Sequence, residues 1–323
     1  MPLDPRAQRL LSMVAAIAPK QRERPSPEQR RLSLAKLMQF SRNDVGPVTT
    51  RDGSCDGPEG PLRYRMYTPG SGGEIASQDA DAHLPGFVYF HGGGLVAGSI
   101  ETHDKVAAAL AAASGCRLLS FDYRLAPEHQ CPAAVDDALA ALDYVVRHAA
   151  LLGIDSDRVV VGGDSAGATL AAFACQRAAA AGRRRIAGQC LICPVLDFSR
   201  PWPSRELFGA GHLLDKATWE ADLADYLPAD IGLDEPLISP LCNPVLAGLP
   251  PAVIHTAEFD PMRDEGNAYA ARLQDAGVTV AHVCHDDMVH NFHALGALLP
   301  QAKPALELIG RQLQSLLQVP APR

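Results

Sequence analysis

The chain has 323 residues, 47% of them hydrophobic and 20% charged, which is enough apolar material to bury a large core and rules out a disordered or fibrous protein. Its formal net charge of -8 speaks against a phosphate-backbone binder, whose affinity rests on clustered Lys and Arg, so no nucleic-acid partner is expected. The basic cluster Arg183-Arg184-Arg185 follows a helical pattern that ends at Gly182, where cations suit the helix dipole, and reads as a solvated corner.

Residues 1–45 show helical spacing at Leu10, Leu11, Val14 and Ile17, and again at Leu32, Leu34, Leu37 and Met38, divided by the Pro-bearing stretch Gln21 to Glu28. Two amphipathic helices therefore precede the first strand, covering either the mouth of a pocket or the outside of the core. Strand patterns follow at Val45 to Thr50 and Leu62 to Tyr67, in the manner of an antiparallel pair, and Gly70 to Leu84 reads as a surface loop. A buried-strand run, Gly86 to Phe90, leads into His91-Gly92-Gly93-Gly94. The chain then alternates: helix from about Thr102 to Ser114, strand Arg117 to Asp122, helix Ala133 to Leu152, strand Arg158 to Gly162, helix Ala166 to Ala181, strand Gln189 to Cys193. Between Asp197 and about Ile231 an aromatic-bearing, partly helical insertion breaks the alternation. Strand Ala252 to Ala257, helix Asp264 to Ala276, strand Thr279 to Cys284 and a closing helix from about Lys303 to Leu317 complete it. This alternation implies an α/β fold with a mostly parallel sheet covered on both faces.

Eight cysteines are present, but Cys116, Cys175, Cys190, Cys193 and Cys284 all fall in apolar patterns, where a free thiol behaves as a small hydrophobe. Cys190 and Cys193 have redox-pair spacing yet sit in a strand pattern, where residues three apart face opposite ways, so packed thiols are expected. No secretory signal is visible at the start and no run approaches a membrane span, so a cytoplasmic location is expected.

The central motif runs from Val159-Val160-Val161 into Gly162-Gly163-Asp164-Ser165-Ala166-Gly167 and straight on into an Ala-rich helical pattern. Strand, sharp turn and helix around Gly-x-Ser-x-Gly form a nucleophile elbow, with Gly163 and Gly167 leaving room for strained backbone around Ser165. The glycines of His91-Gly92-Gly93-Gly94, at a strand's C-terminal end, let backbone N–H groups approach a ligand closely. Together with the N–H of Ala166 they are candidates for an oxyanion hole, where one donor is worth roughly 3 to 4 kcal/mol of barrier. Gly92-x-Gly94-x-x-Ala97, with Asp122 ending the next strand, also meets the loose dinucleotide fingerprint. That fingerprint needs a helix to start inside the motif, and here Gly98 to His103 intervenes.

A serine nucleophile needs a base and an orienting acid later in the chain. Asp260 is the first choice for the acid, in the loop after strand Ala252 to Ala257 with Pro261 fixing the backbone; Glu258 is the second, and Asp264 and Glu265 suit the first turn of the next helix. His285-Asp286-Asp287-Met288-Val289-His290-Asn291-Phe292-His293 reads as a loop after the last strand, with His290 the better base and His293 the fallback. His285, His290 and His293 lack a zinc-ligand spacing with any Cys or Glu pair, so no metal is expected.

These residues make the chain resemble the hormone-sensitive lipase family of α/β-hydrolases. The matches are His91 to Gly94, Tyr123-Arg124-Leu125-Ala126-Pro127-Glu128-His129, Gly163 to Gly167, Asp260-Pro261 with Arg263-Asp264-Glu265, and His290, in the family's order. The resemblance implies an α/β-hydrolase fold: a mostly parallel eight-stranded sheet with helices on both faces and a helical cap. The cap would be residues 1–45 and 197–231, and the core 46–196 and 232–323. It implies a serine carboxylesterase of short- to medium-chain acyl esters, with Ser165, Asp260 and His290 as triad, Gly92, Gly93, Gly94 and Ala166 as oxyanion hole, and His91 and Asp164 in support. No cofactor is implied, the partner is a small-molecule ester, and a homodimer is admissible. Two positions depart from the family: Asn291 stands where Gly usually follows the catalytic His, which bears on how His290 is aimed, and Gln130-Cys131 replaces an apolar Pro-Phe, which is expected to touch packing alone.

On this reading His290 deprotonates Ser165 during attack on an ester carbonyl, Asp260 fixes the imidazole, and activity falls as His290 becomes protonated below neutral pH. An amidase or deacetylase would use the same triad, since leaving-group choice rests on pocket shape. A non-catalytic binding protein on the same scaffold would be expected to lack the base, which is present here.

Overall fold

The computed structural model describes residues 2–17, 24–41, 46–70, 83–182 and 186–318. The Arg183–Arg185 cluster and most of the Gly70 to Leu84 loop lie outside them. Eight strands form one sheet: β1 (Val48–Gly57), β2 (Gly60–Pro69), β3 (Leu84–Phe90), β4 (Arg117–Phe121), β5 (Ile154–Asp164), β6 (Ile186–Ile192), β7 (Ala252–Phe259) and β8 (Val280–Val289). Their order is β1-β2-β4-β3-β5-β6-β7-β8. β1 and β2 pair antiparallel with each other, and β2 with β4, while every later pairing is parallel. The inner parallel strands β3, β6 and β7 carry buried apolar runs because both sheet faces are covered there, whereas the edge strand β8 is half-buried and carries His and Asp.

Helices α1 (Pro5–Ile17) and α2 (Pro27–Met38) precede the sheet. Helices α3 (Ile100–Ser114), α4 (Ala133–Arg147), α5 (Ala166–Ala180), α8 (Arg263–Asp275) and α9 (Ala302–Gln318) cross over it, and α6 (Pro203–Phe208) and α7 (Lys216–Tyr226) occupy the insertion between β6 and β7. One core joins the sheet to α4, α5 and α8 through residues such as Val161, Ala171, Leu142 and Tyr269; the other joins it to α3 and α9 through Val160, Leu110 and Leu313. No helix among the described residues is long and apolar enough to cross a membrane.

Several boundaries differ from the sequence expectation for identifiable reasons. β1 runs on to Gly57 through Thr49, Thr50, Arg51, Asp52 and Ser54, in continuous register with β2 from Val48↔Pro69 to Gly57↔Gly60. An edge strand with one partner and one wet side needs little apolar alternation, so pattern alone could not extend it. α4 stops at Arg147, but the turn beyond it buries Ala149 and Leu152, which prolonged the apolar pattern. β8 continues to Val289, paired with β7 through Ala257↔His285 and, past an irregularity, Phe259↔Val289. His285 to Asp287 are therefore strand residues rather than loop, and His290 is the first residue beyond the strand.

The two N-terminal helices pack against different parts of the chain. α1 packs outside the core, with Ala7 and Leu10 buried and Asp4 bonded to Asp287 on β8 and to Gln301. α2 lies over the glycine loop, where the Leu34 side chain stands 3.0 Å from where a Cβ on Gly93 would be. Ser26 and Gln29 form a capping box that starts α2, with Pro27 at its first turn.

Candidate active site

The elbow is built by local sterics. Ser165 has φ 51° and ψ -121°, between the end of β5 and the start of α5, and its N–H donates to Ile192 O at 2.8 Å. A side chain at Gly163 or Gly167 would collide with the Phe90 carbonyl of the neighbouring strand, so only glycine lets β3 and the elbow approach this closely.

Three chain segments converge on the serine. His290 Nε2 lies 3.0 Å from Ser165 Oγ, and His290 Nδ1 lies 2.7 Å from Asp260 Oδ2. The second Asp260 oxygen accepts the Met262 N–H at 2.8 Å, which fixes the carboxylate plane. Burial works to lower the pKa of His290, but the charge and hydrogen bond of Asp260 outweigh it and leave it above the ordinary imidazole value. The alternatives are committed elsewhere. Glu258 pairs with Arg263. His293 is fully buried, held neutral by a pKa that burial pushes down to about 4, and its ring nitrogens have no partner among the described residues. Asp264 and Glu265 sit in the first turn of α8 as expected.

Asn291 adopts φ 58° and ψ 16°, the left-handed region. Glycine suits this position, and Asn is among the side chains best tolerated in it. The departure from the family residue therefore preserves the turn that delivers His290.

The glycine loop differs from expectation at one residue. The Gly92 N–H is already spent on Asp164 Oδ1 at 3.0 Å, so Gly92 is not a free oxyanion donor. The N–H groups of Gly93, Gly94 and Ala166 donate to no protein acceptor among the described residues. Asp164 Oδ1 also accepts the Tyr89 hydroxyl at 2.5 Å, and its Oδ2 lies 3.6 Å from His103 Nε2. Burial alone would raise this carboxylate, yet His103, His293 and the Tyr89 hydrogen bond hold it well below the usual range. His91 stacks on Tyr123 at 4.4 Å and bonds the Gly92 carbonyl through Nδ1 at 2.9 Å; burial lowers its pKa to about 3, which keeps it neutral. Asp122, the ribose-ligand alternative, instead accepts the Ile100 N–H at the start of α3. That helix begins beyond the glycines, with Ser99 as its cap, so no helix N-terminus sits within the motif.

The thiol pair also differs. Cys190 lies inside β6, but Cys193 falls just past it at φ 44°, with its ligand atom within 4.8 Å of those of Asp260 and His290. Burial raises the Cys193 pKa well above the ordinary thiol value, so it stays protonated, and the Asp260 and His290 atoms are already bonded to each other. A protonated thiol is a poor metal ligand, so this group does not fit a metal centre. His285, the third histidine considered for a metal, pairs with His255 at 2.9 Å instead. All eight cysteines are free.

Arginines on α2 tie neighbouring elements together, a role for which the apolar helical spacing carries no signal. Arg30 is buried and donates to Asp222 and Asp225 on α7. Arg31 donates to the carbonyl of Val96, just past the glycine loop, at 2.8 Å and to that of Ala126, in the segment after β4, at 3.0 Å. Gln130 does more than fill space, since its amide donates to the Asp225 carbonyl of α7 at 3.2 Å, and the Cys131 N–H donates to Tyr226 O at 2.9 Å. On the other side, the Arg205 guanidinium of α6 bonds Glu265 at 2.6 Å in a fully buried pair.

A mostly parallel sheet with a serine on a strained turn after its central strand, and an acid and a histidine after its last two parallel strands, β7 and β8, defines an α/β-hydrolase. Residues 87–294 match a family described by its alpha/beta hydrolase fold, and the chain belongs to that family, the hormone-sensitive lipase-like group. It is 37% identical over 275 residues to the ethyl acetate hydrolase of Pseudomonas putida, a match covering 84% of this chain and 81% of that one. It is 41% identical over 237 residues to the carboxylesterase NlhH of Mycobacterium tuberculosis, covering 72% and 73%. Among solved structures, an ester hydrolase from the metagenome of Lake Arreo superposes with TM-score 0.91 at 37% identity, covering 98% of this chain and 100% of that one.

Proposed function

We propose that the chain is a serine carboxylesterase of short- to medium-chain acyl esters. The observation that carries this reading is the continuous relay from Asp260 Oδ2 through His290 to Ser165 Oγ, at 2.7 and 3.0 Å. The relatives named as ester hydrolases support the choice of bond.

His290 Nε2 takes the Ser165 proton as Oγ attacks the ester carbonyl carbon, and the carbonyl electron pair moves onto oxygen. The N–H groups of Gly93, Gly94 and Ala166 receive that oxyanion. Collapse expels the alcohol, to which His290 returns the proton, and leaves an acyl-serine. Water, deprotonated by the same histidine, releases the acid and restores the serine. Asp260 keeps the imidazole in the tautomer with Nδ1–H and stabilises its cationic form. Asp164 and His91 hold the elbow and glycine loop, and no cofactor enters the cycle.

In this reading residues 1–45 and 197–231 form the cap and 46–196 with 232–323 the hydrolase core; the contacts of α2 with α7 support treating the two helical segments as one cover. Free cysteines suit a reducing compartment, and the cytoplasm is the assigned location. Family resemblance admits a homodimer and assigns no assembly.

The test is the initial rate on chromogenic esters of increasing acyl length, for the parent and for Ser165→Ala. Turnover abolished by the substitution supports the reading, and the length optimum sizes the pocket. A parent that turns over no ester overturns it, and amide substrates then become the next series.

A further inference from the structure

Beside the glycine loop stands a carboxyl group that ester hydrolysis itself does not require, Asp222, whose pKa burial raises to about 7 against the opposing Arg30 charge, so that it is an anion at mildly alkaline pH. α7 lays Asp222 directly on Gly94, so that a side chain at residue 94 would run into the Asp222 carboxylate. The two Asp222 oxygens have different surroundings. Oδ1 accepts from the buried Arg30 guanidinium, whose other nitrogen is bound to Asp225 one turn further along α7. Oδ2, the oxygen against Gly94, has no hydrogen-bond donor among the described residues, and it is not one of the solvent-sealed polar atoms. The side chain as a whole keeps 13% exposure, so Asp222 is not sealed inside packed protein.

Arg30 gives the arrangement its rigidity. By bridging Asp222 and Asp225 it fixes the carboxylate's direction, and its positive charge offsets an anion that would otherwise sit next to a developing oxyanion. What remains is a held acceptor against Gly94, whose own N–H is one of the free donors of the glycine loop. Desolvating such an oxygen without a donor is unfavourable, and bringing a second carboxylate to it is more so.

We propose that Asp222 is a specificity-determining residue: Oδ2 receives a hydrogen bond from a hydroxyl or protonated amine carried by the ester, and its charge turns away esters that carry a carboxylate. The proposal rests on the esterase reading and deepens it.

Matched esters test it at mildly alkaline pH. On the acyl side the set is ethyl butyrate, ethyl β-hydroxybutyrate and monoethyl succinate; on the alcohol side it is ethyl acetate, glycol monoacetate and acetylglycolate. Each variant is normalised to its own kcat/KM on the unsubstituted ester, so a general loss of activity cancels. On at least one side the parent should favour the hydroxylated ester over the carboxylated one by about tenfold or more, the scale of a hydrogen bond to a charged group. Asp222→Asn and Asp222→Ser should each close most of that gap, chiefly by raising relative turnover of the carboxylated ester. A parent that discriminates on neither side overturns the proposal, whether or not the variants fold, and so do variants that leave the ratio unchanged. A parent that hydrolyses no member of either set overturns the esterase reading, and the proposal falls with it; turnover without discrimination overturns the proposal alone.

Discussion

The backbone N–H of Gly92 donates to the Asp164 carboxylate at 3.0 Å, so the residue in front of the nucleophile holds the loop that faces it. Two structures separated by 72 residues in sequence, the elbow and the glycine loop, are locked by one fully buried side chain that also takes the Tyr89 hydroxyl.

Asp164→Ala should therefore reduce kcat by about a hundredfold, the scale of losing one aligned oxyanion donor, with KM little changed. It should also lower the melting temperature by several degrees, because the Tyr89 hydroxyl and Gly92 N–H are left buried without an acceptor. Asp164→Asn keeps an acceptor oxygen and should recover most of the rate. Steady-state kinetics with thermal melts check this; a variant that is less stable but has parental kcat would show that the contact serves folding alone.

The raised pKa of His290 sets the pH dependence. The neutral imidazole is the working base, so the rate should be low where His290 is protonated and climb as pH rises through a pKa above the ordinary value of 6.5. Asp260→Asn removes the main group that raises it and leaves burial to lower it. The acid limb of kcat/KM should then move to lower pH, while kcat falls by about ten-thousandfold. A pH–rate profile of parent and variant measures both.

Asn291 should be replaceable by glycine with a stability change of a few tenths of a kcal/mol and little effect on rate, since its φ of 58° is open to both residues. Asn291→Val should cost about 1 to 2 kcal/mol and reduce kcat, because a β-branched residue resists the left-handed turn that delivers His290. Urea denaturation together with ester kinetics separates the two effects.

Arg205→Met should destabilise the protein by about 3 to 5 kcal/mol, because it leaves the buried Glu265 carboxylate without its cation. Arg205→Met with Glu265→Leu should recover part of this loss and not all, since Glu265 also accepts the Leu196 N–H at 2.7 Å. Chemical denaturation of the two variants gives the comparison.

The sequence by itself determined the α/β alternation, the elbow at Ser165 and the loops bearing Asp260 and His290. These follow from short-range rules: periodicity, glycine at strained backbone, and chain order at the ends of parallel strands. Short-range rules also explain what it left open. The sequence ranked His290 above His293, but what separates the two is what each faces after folding: Asp260 and Ser165 for the first, a fully buried position without a hydrogen-bond partner among the described residues for the second. Likewise Gly92, Gly93 and Gly94 are identical in sequence, and only the arrival of Asp164 from the next strand in the sheet commits the first of them. β1 was legible only at its start, because a polar edge strand is defined by its partner β2 and not by its own pattern. Arg30 has no signal in the helical spacing, and its role exists only once α7 brings Asp222 and Asp225 against it from 192 and 195 positions away. Local sterics and periodicity are written in neighbouring residues. Which polar group is paired, buried or left facing the cleft depends on through-space contacts that exist once the sheet and the helices above it have closed around one another.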